Sequence, residues 1–166
     1  MKRYRTFSFR ETQALGEAVA QEIRREIKKK GNAPRGGGAT GHAKTASHAT
    51  VFALAGDLGA GKTTFTQGFL RGFGLRKRAQ SPTFIIMRRH GRIFHIDAYR
   101  LKGAAQVSVL GFEKILEDPR NVILIEWPER IREMIPKHAQ WISFRHGKKE
   151  NERTITIKAA PKKIKK

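Results

Sequence analysis

Apolar residues recur with two different periods along this chain, and the changes of period mark out its elements. Residues 4–9 alternate apolar and polar positions, which predicts a short strand with Phe7 and Phe9 on one face. Thr12 then reads as a helix N-cap. Leu15, Val19, Ile23 and Ile27 follow at four-residue spacing, the stripe of a helix that ends near Lys30 and Gly31. Residues 51–55 read as a short buried strand, and residues 64–73 as a helix with Phe65, Phe69 and Leu70 inward. Residues 84–89 and 92–97 predict a hairpin turning at His90-Gly91, and residues 104–116 a helix interrupted near Gly111. Residues 122–125 are apolar throughout, the mark of a strand covered on both faces. A short helix is expected over 129–135 after Pro128, and a terminal hairpin from 141–145 and 154–157. This order argues for an α/β fold with a mixed sheet.

Between residues 31 and 50 neither period survives. The run Gly31-Asn32-Ala33-Pro34-Arg35-Gly36-Gly37-Gly38-Ala39-Thr40-Gly41-His42 is small and polar, and predicts a flexible, basic surface loop. The three consecutive glycines have no strand before them and no helix directly after them, so a phosphate loop is not expected there.

At 166 residues the chain can build about one core. Thirty-five Lys and Arg against 14 Asp and Glu leave a net charge of +21, which draws polyanions to the surface without naming one. With 39% hydrophobic residues and a mean hydropathy of −0.54, the composition is not typical of a disordered chain. No apolar run reaches the ~18 residues of a membrane span. No apolar stretch follows the charged start Met1-Lys2-Arg3-Tyr4-Arg5, so a secretory leader is not expected either. The absence of cysteine removes disulfides, thiolate nucleophiles and Cys-ligated zinc, and it suits a reducing cytosol. His42, His48, His90 and His95 lack the spacing of a metal site and read as structural. Phe7, Phe9, Phe84 and Phe94 read as core residues.

The candidate chemistry sits in the turn after the strand at 51–55. Gly56-Asp57-Leu58-Gly59-Ala60-Gly61-Lys62-Thr63 fits G-x-x-x-x-G-K-[ST] at every required position, between a strand and a helix. Glycines allow a tight turn whose N–H groups converge on phosphate oxygens, and the helix N-terminus adds positive partial charge. Lys62 is then placed to reach the β and γ phosphates, and the Thr63 hydroxyl to take a Mg²⁺ coordination position. Such a site needs an acid. Glu126, at the carboxyl end of the apolar strand, is the first candidate, and Asp97, which also ends an apolar strand, is the second. Asn32, Asn121 and Asn151 are each followed by a residue other than Lys, so the Asn-Lys-x-Asp guanine element is missing and adenine is favoured.

Four segments together resemble the TsaE family of small bacterial ATPases in tRNA threonylcarbamoyladenosine biosynthesis. They are residues 56–64, Ser81-Pro82-Thr83-Phe84, His95-Ile96-Asp97-Ala98-Tyr99-Arg100-Leu101 and Ile125-Glu126-Trp127-Pro128-Glu129. The resemblance implies a P-loop NTPase-like three-layer fold, with a mixed β-sheet flanked by helices. It implies one ATPase domain over residues 1–160, with a flexible insertion at 31–49 and a basic tail at 161–166. ATP and Mg²⁺ are the implied cofactors, TsaD and TsaB the implied partners, and tRNA is implied through their complex. The location implied is cytoplasmic. Lys62, Asp97 and Glu126 are the implied catalytic set, and Thr63 and Glu126 the metal set. Asp57, Gly59, Ala60, Gly61, Lys62, Thr63 and Thr64 hold the nucleotide, with Thr12 and Glu129 near the nucleoside and Trp127 placed to report binding. Ser81 to Phe84 matches a switch-like loop.

Three features depart from the family pattern: the insertion, the charge with its basic tail, and a less acidic stretch between Leu101 and Gly111. Two other readings stay open, a P-loop kinase for a small metabolite and a basic RNA-binding module without catalysis.

Overall fold

Two parallel strands, β2 (Thr50–Ala55) and β5 (Val122–Glu126), sit side by side in a seven-stranded sheet, and every residue of β5 is buried. This computed structural model describes residues 1–31, 48–75, 86–103 and 105–158, with only the backbone at 30 and 31. The segment Ser81–Phe84, most of the stretch 31–49 and the tail 161–166 lie outside the described residues.

The other elements are β1 (Lys2–Thr6), α1 (Phe9–Gly31), α2 (Lys62–Gly72), β3 (Met87–His90), β4 (Ile93–Asp97), α3 (Ala105–Ser108), α4 (Phe112–Glu117), β6 (Gln140–His146) and β7 (Arg153–Lys158), with a 3₁₀ segment at Pro128–Met134. The sheet order is β1-β7-β6-β2-β5-β4-β3. Strands β6, β2, β5 and β4 run parallel, while β7, β1 and β3 add antiparallel edges. The mixed α/β sheet and the P-loop NTPase-like layering expected from sequence are what the chain forms. None of the described helices is long and apolar enough to cross a membrane.

Alternation along β5 divides the interior into two cores. Val122 and Leu124 face Phe65, Phe69, Ile23 and Phe52 beneath α1 and α2. Ile123 and Ile125 face Val107, Phe112 and Ile131 beneath α3, α4 and the 3₁₀ segment. Helices α1 and α2 touch backbone to backbone. A Cβ on Gly68 would lie 1.9 Å from the Gln13 carbonyl oxygen, and one on Gly16 would lie 2.2 Å from that of Phe65. Ala49, inside the stretch expected as a loop, is buried in the second core, and its N–H donates to the Leu116 carbonyl at 2.8 Å.

The structure corrects the reading of the N-terminus. β1 ends at Thr6, and Phe7 and Phe9 are 51% and 62% exposed rather than core residues. Ser8 and Glu11 close the start of α1: the Glu11 N–H donates to Ser8 Oγ at 3.2 Å, and the Phe7 N–H donates to Glu11 Oε2 at 2.9 Å. That pair takes Phe7 out of the ladder, so alternation stops two residues early. Thr12 lies inside the first turn and is not the cap. Downstream, α2 begins at Lys62 rather than Thr64. The β3–β4 turn falls at Gly91-Arg92, one residue later than expected, since His90 pairs with Ile93. The break at Gly111 is present as a left-handed residue between α3 and α4.

Candidate functional site

The turn leaving β2 is shaped by glycine and finished by the start of α2. Gly61 takes φ +102°, a conformation that side chains rarely adopt, and it offers no side-chain cap. The first bond of α2 runs from the Phe65 N–H to the Gly61 carbonyl at 2.9 Å. The N–H groups of Lys62, Thr63 and Thr64 therefore precede every intrahelical acceptor and stand at the positive end of the helix. The carbonyls of Leu58 and Gly59 are engaged by side chains of β6 and β7. His146 Nε2 donates to Leu58 O at 3.1 Å, and the Arg153 guanidinium donates to Gly59 O at 3.1 and 3.3 Å. Within the loop the Ala60 N–H donates to the Asp57 carbonyl at 3.2 Å, which leaves the N–H groups at the start of α2 to the cleft.

Register brings the two acids to the same level, with Asp97 paired to Glu126 across β4 and β5. Glu126 is 2% exposed and both of its oxygens are engaged. Oε2 accepts from the Thr63 hydroxyl at 2.7 Å, and Oε1 accepts from His95 Nε2 at 2.9 Å. His95 is itself buried, and its Nδ1 has no partner among the described residues. Asp97 is half-buried and accepts the Tyr99 N–H at 3.0 Å. Burial pushes its carboxyl above the ordinary value, and the Tyr99 N–H works against that shift.

Lys62 lies across this cleft. Its ammonium donates to the carbonyls of Gly56 and Asp57, the latter at 2.8 Å, and stands 3.6 Å from the centre of the Trp127 ring. Burial lowers its pKa, and Glu126 leads the carboxylates that oppose this. Trp127 is the only non-glycine residue with positive φ among those described, at 60°, and Tyr99 packs on it at 4.9 Å between ring centres. The space enclosed is about 300 Å³, walled by the loop from Leu58 to Thr64 with Asp97, Tyr99, Glu126 and Trp127.

Most residues expected here do meet: Gly59, Ala60, Gly61, Lys62, Thr63, Thr64, Asp97 and Glu126 all line the cleft. Three do not. Asp57 turns its side chain to solvent and contributes its carbonyl to Lys62. Thr12 sits beside the loop, 3.5 Å from where a Gly61 Cβ would be, with its hydroxyl donating to Ser8 O and accepting from Thr6. Glu129 is exposed on the 3₁₀ segment and reaches Lys62 only through its charge. His95, read from sequence as structural, is the residue that sequence reasoning missed. The available signal was strand alternation, which puts His95 and Asp97 on one face of β4.

The geometry suits a magnesium nucleotide. No group of three or more His, Cys, Asp or Glu among the described residues could hold a metal alone. A cation would rest on the Thr63 hydroxyl, the Glu126 carboxylate and phosphate oxygens, the donor set Mg²⁺ takes in nucleotide sites. The orphan N–H groups and Lys62 would supply the phosphate cradle.

A parallel strand that turns through glycines into a helix, with a carboxylate ending the neighbouring strand, places this chain among the P-loop NTPase-like α/β proteins. The family can be stated as well. The family model for "Threonylcarbamoyl adenosine biosynthesis protein TsaE" matches residues 8–155, and the chain belongs to that family, which serves threonylcarbamoyladenosine biosynthesis on tRNA. It is 38% identical over 111 residues to the tRNA threonylcarbamoyladenosine biosynthesis protein TsaE of Bacillus subtilis, covering 64% of this chain and 68% of that one. The Streptomyces coelicolor protein of the same name is 43% identical over 83 residues, 46% of this chain and 55% of its own. The crystal structure of Bacillus subtilis YdiB superimposes with a TM-score of 0.65 at 28% identity, covering 96% of this chain and 86% of that one.

Proposed function

We propose that this chain binds Mg²⁺–ATP and hydrolyses it, and that the cycle works as a conformational switch on the TsaD–TsaB pair during threonylcarbamoyladenosine modification of tRNA. The observation that carries the reading is the convergence of Lys62, Thr63 and Glu126 on the uncapped N-terminus of α2. In this reading the N–H groups of Gly59 to Thr64 and the Lys62 ammonium hold the phosphates, and Thr63 and Glu126 hold the metal. Bound Mg²⁺ would neutralise charge on the β and γ oxygens. Asp97, on the facing wall, orients water. Lys62 must leave the Trp127 ring to meet phosphate, so tryptophan emission reports occupancy. Adenine is favoured over guanine because the chain lacks an Asn-Lys-x-Asp element.

Slow hydrolysis by the chain alone is expected, with TsaD–TsaB supplying what aligns the water. The test is a reconstituted assay that counts modified tRNA per TsaD–TsaB complex, with and without this chain. Repeated turnover should need the chain with Lys62 and Asp97 intact. Equal turnover without the chain, or with Lys62→Ala, overturns the switch and returns the kinase reading.

A further inference from the structure

On the side away from α1 and α2, the sheet has a covered half and an open half. Strands β4, β5 and β2 lie beneath α3, α4 and the 3₁₀ segment. Beyond them, the outer face of β6, β7 and β1 is reached by the 3₁₀ segment only at Trp141, where Arg132 lies over the ring, and no described helix covers the rest. The two antiparallel registers set the outward side chains of these strands in rows: Lys158 beside Trp141, Arg3 beside Thr156 and Ser143, Arg5 beside Thr154 and Arg145. The intervening Ile142, Phe144 and Ile155 point into the core. The face is therefore a lattice of cations and hydroxyls, with strands about 4.8 Å apart and rows about 7 Å apart.

We propose that this open face binds the phosphodiester backbone of tRNA, through Arg3, Arg145 and Lys158. Three observations carry it. These three side chains are exposed and no described carboxylate pairs with them, whereas Arg5 is tied to the buried Glu152. They line a shallow groove of about 430 Å³ floored by Ser143, Thr154 and Thr156, the residue types that donate to phosphate oxygens. After Lys158 the sequence continues with Lys162, Lys163, Lys165 and Lys166, within a chain of net charge +21.

Charge favours RNA over a protein partner. A stable protein interface needs an apolar centre. Among the described residues, the only apolar side chain lining this groove is Met1. The one large aromatic ring nearby among the described residues, Trp141, is already covered by the Arg132 guanidinium at 5.7 Å, so stacking of bases is not what the face offers. Contacts to phosphate alone give affinity and orientation without sequence readout. The phosphate chemistry stands independently of the nucleotide site. Only the choice of tRNA among RNAs rests on the proposed function.

The test compares two triple variants of equal charge in the full chain. One is Arg3→Ser/Arg145→Ser/Lys158→Ser. The other is Arg24→Ser/Arg25→Ser/Lys28→Ser, on the exposed side of α1. Binding of labelled tRNA is followed by fluorescence polarisation over a salt series, and Trp127 emission with ATP reports that the fold and the cleft are intact. The sheet-face variant should lose at least tenfold in affinity at moderate salt, and its salt slope should flatten by about 2–3. The α1 variant should lose less than about threefold, because its charges act only at a distance. Equal losses in both variants would reduce the effect to overall charge and overturn the proposal. So would an unchanged sheet-face variant, or wild-type affinity for polyglutamate equal to that for tRNA. A chain that binds tRNA as expected but fails to bind ATP keeps this inference and removes the other.

Discussion

Lys62 and Lys158 are the same residue in opposite settings. Lys62 is 4% exposed and sits within a few ångströms of an aromatic face and two carbonyls, with the charges of Glu126 and Asp97 acting on it. Lys158 stands in solvent on a flat sheet face, with no described acid beside it. The first is a short-range, directional charge in a low dielectric, where one hydrogen bond weighs heavily. The second is a long-range charge that acts by sum and is screened by salt within about 8–10 Å. Formal charge, which sequence reports, treats them alike; position makes one a directional contact and the other part of a field.

The largest break in that comparison should come from Lys62→Ala. Losing a charge-assisted contact of about 1.5–3 kcal/mol should weaken ATP binding roughly 10- to 150-fold. The loss should persist at high salt, as calorimetric titration with ATP would show. A loss that salt erases would place Lys62 in the same class as Lys158.

Next in size is His95. His95→Leu leaves Glu126 Oε1 without its 2.9 Å partner. Removing a partner that orients a metal-binding carboxylate costs about 10-fold or more in metal affinity. The Mg²⁺ concentration needed for half-maximal ATP binding should therefore rise about tenfold. His95→Gln, which restores a donor at the same reach, should recover most of it. If Gln does no better than Leu, His95 only fills space.

The smallest effect contrasts two carboxylates. Burial raises Asp97, so the folded chain holds that proton more tightly than the unfolded chain, and ionising it costs stability as pH rises above the ordinary carboxylate range. Asp97→Asn should thus raise Tm near neutral pH by about a degree or two, an advantage that disappears in acid. Glu152 is held below its ordinary value, chiefly by the Arg5 guanidinium. It contributes stability that is present above the ordinary range and lost as pH falls through its lowered value. Glu152→Gln should lower Tm near neutral pH, and the deficit should fade in acid. Thermal melts across pH that move both variants in the same direction would contradict the contrast.

Legibility followed sequence separation. The loop from Gly56 to Thr63 was readable because its chemistry is contiguous, and β5 because a strand buried on both faces must be apolar throughout. The Glu126–His95 pair was not readable, since the two lie 31 residues apart and meet only through the β4–β5 register. Phe7 and Phe9 misled because two local rules competed, and the Ser8–Glu11 cap prevailed over alternation. Thr12 looked like a cap because the true cap lies one turn earlier. Asp57 contributes through its carbonyl, which residue type cannot reveal.

His146 and Arg153 grip the carbonyls of Leu58 and Gly59 from 88 and 94 residues further along the chain. During synthesis the glycine turn therefore emerges long before the side chains that fix its peptide planes. The strand at residues 2–6 likewise waits for the strand at 153–158, its partner in the sheet. Contacts of such wide separation close late, after the chain has met the entropy of a long loop. A ribosome-bound intermediate ending before β7 would have every residue of the motif and no rigid cradle. A ligand that needs the rigid turn would therefore add stability only after the β6–β7 hairpin has docked.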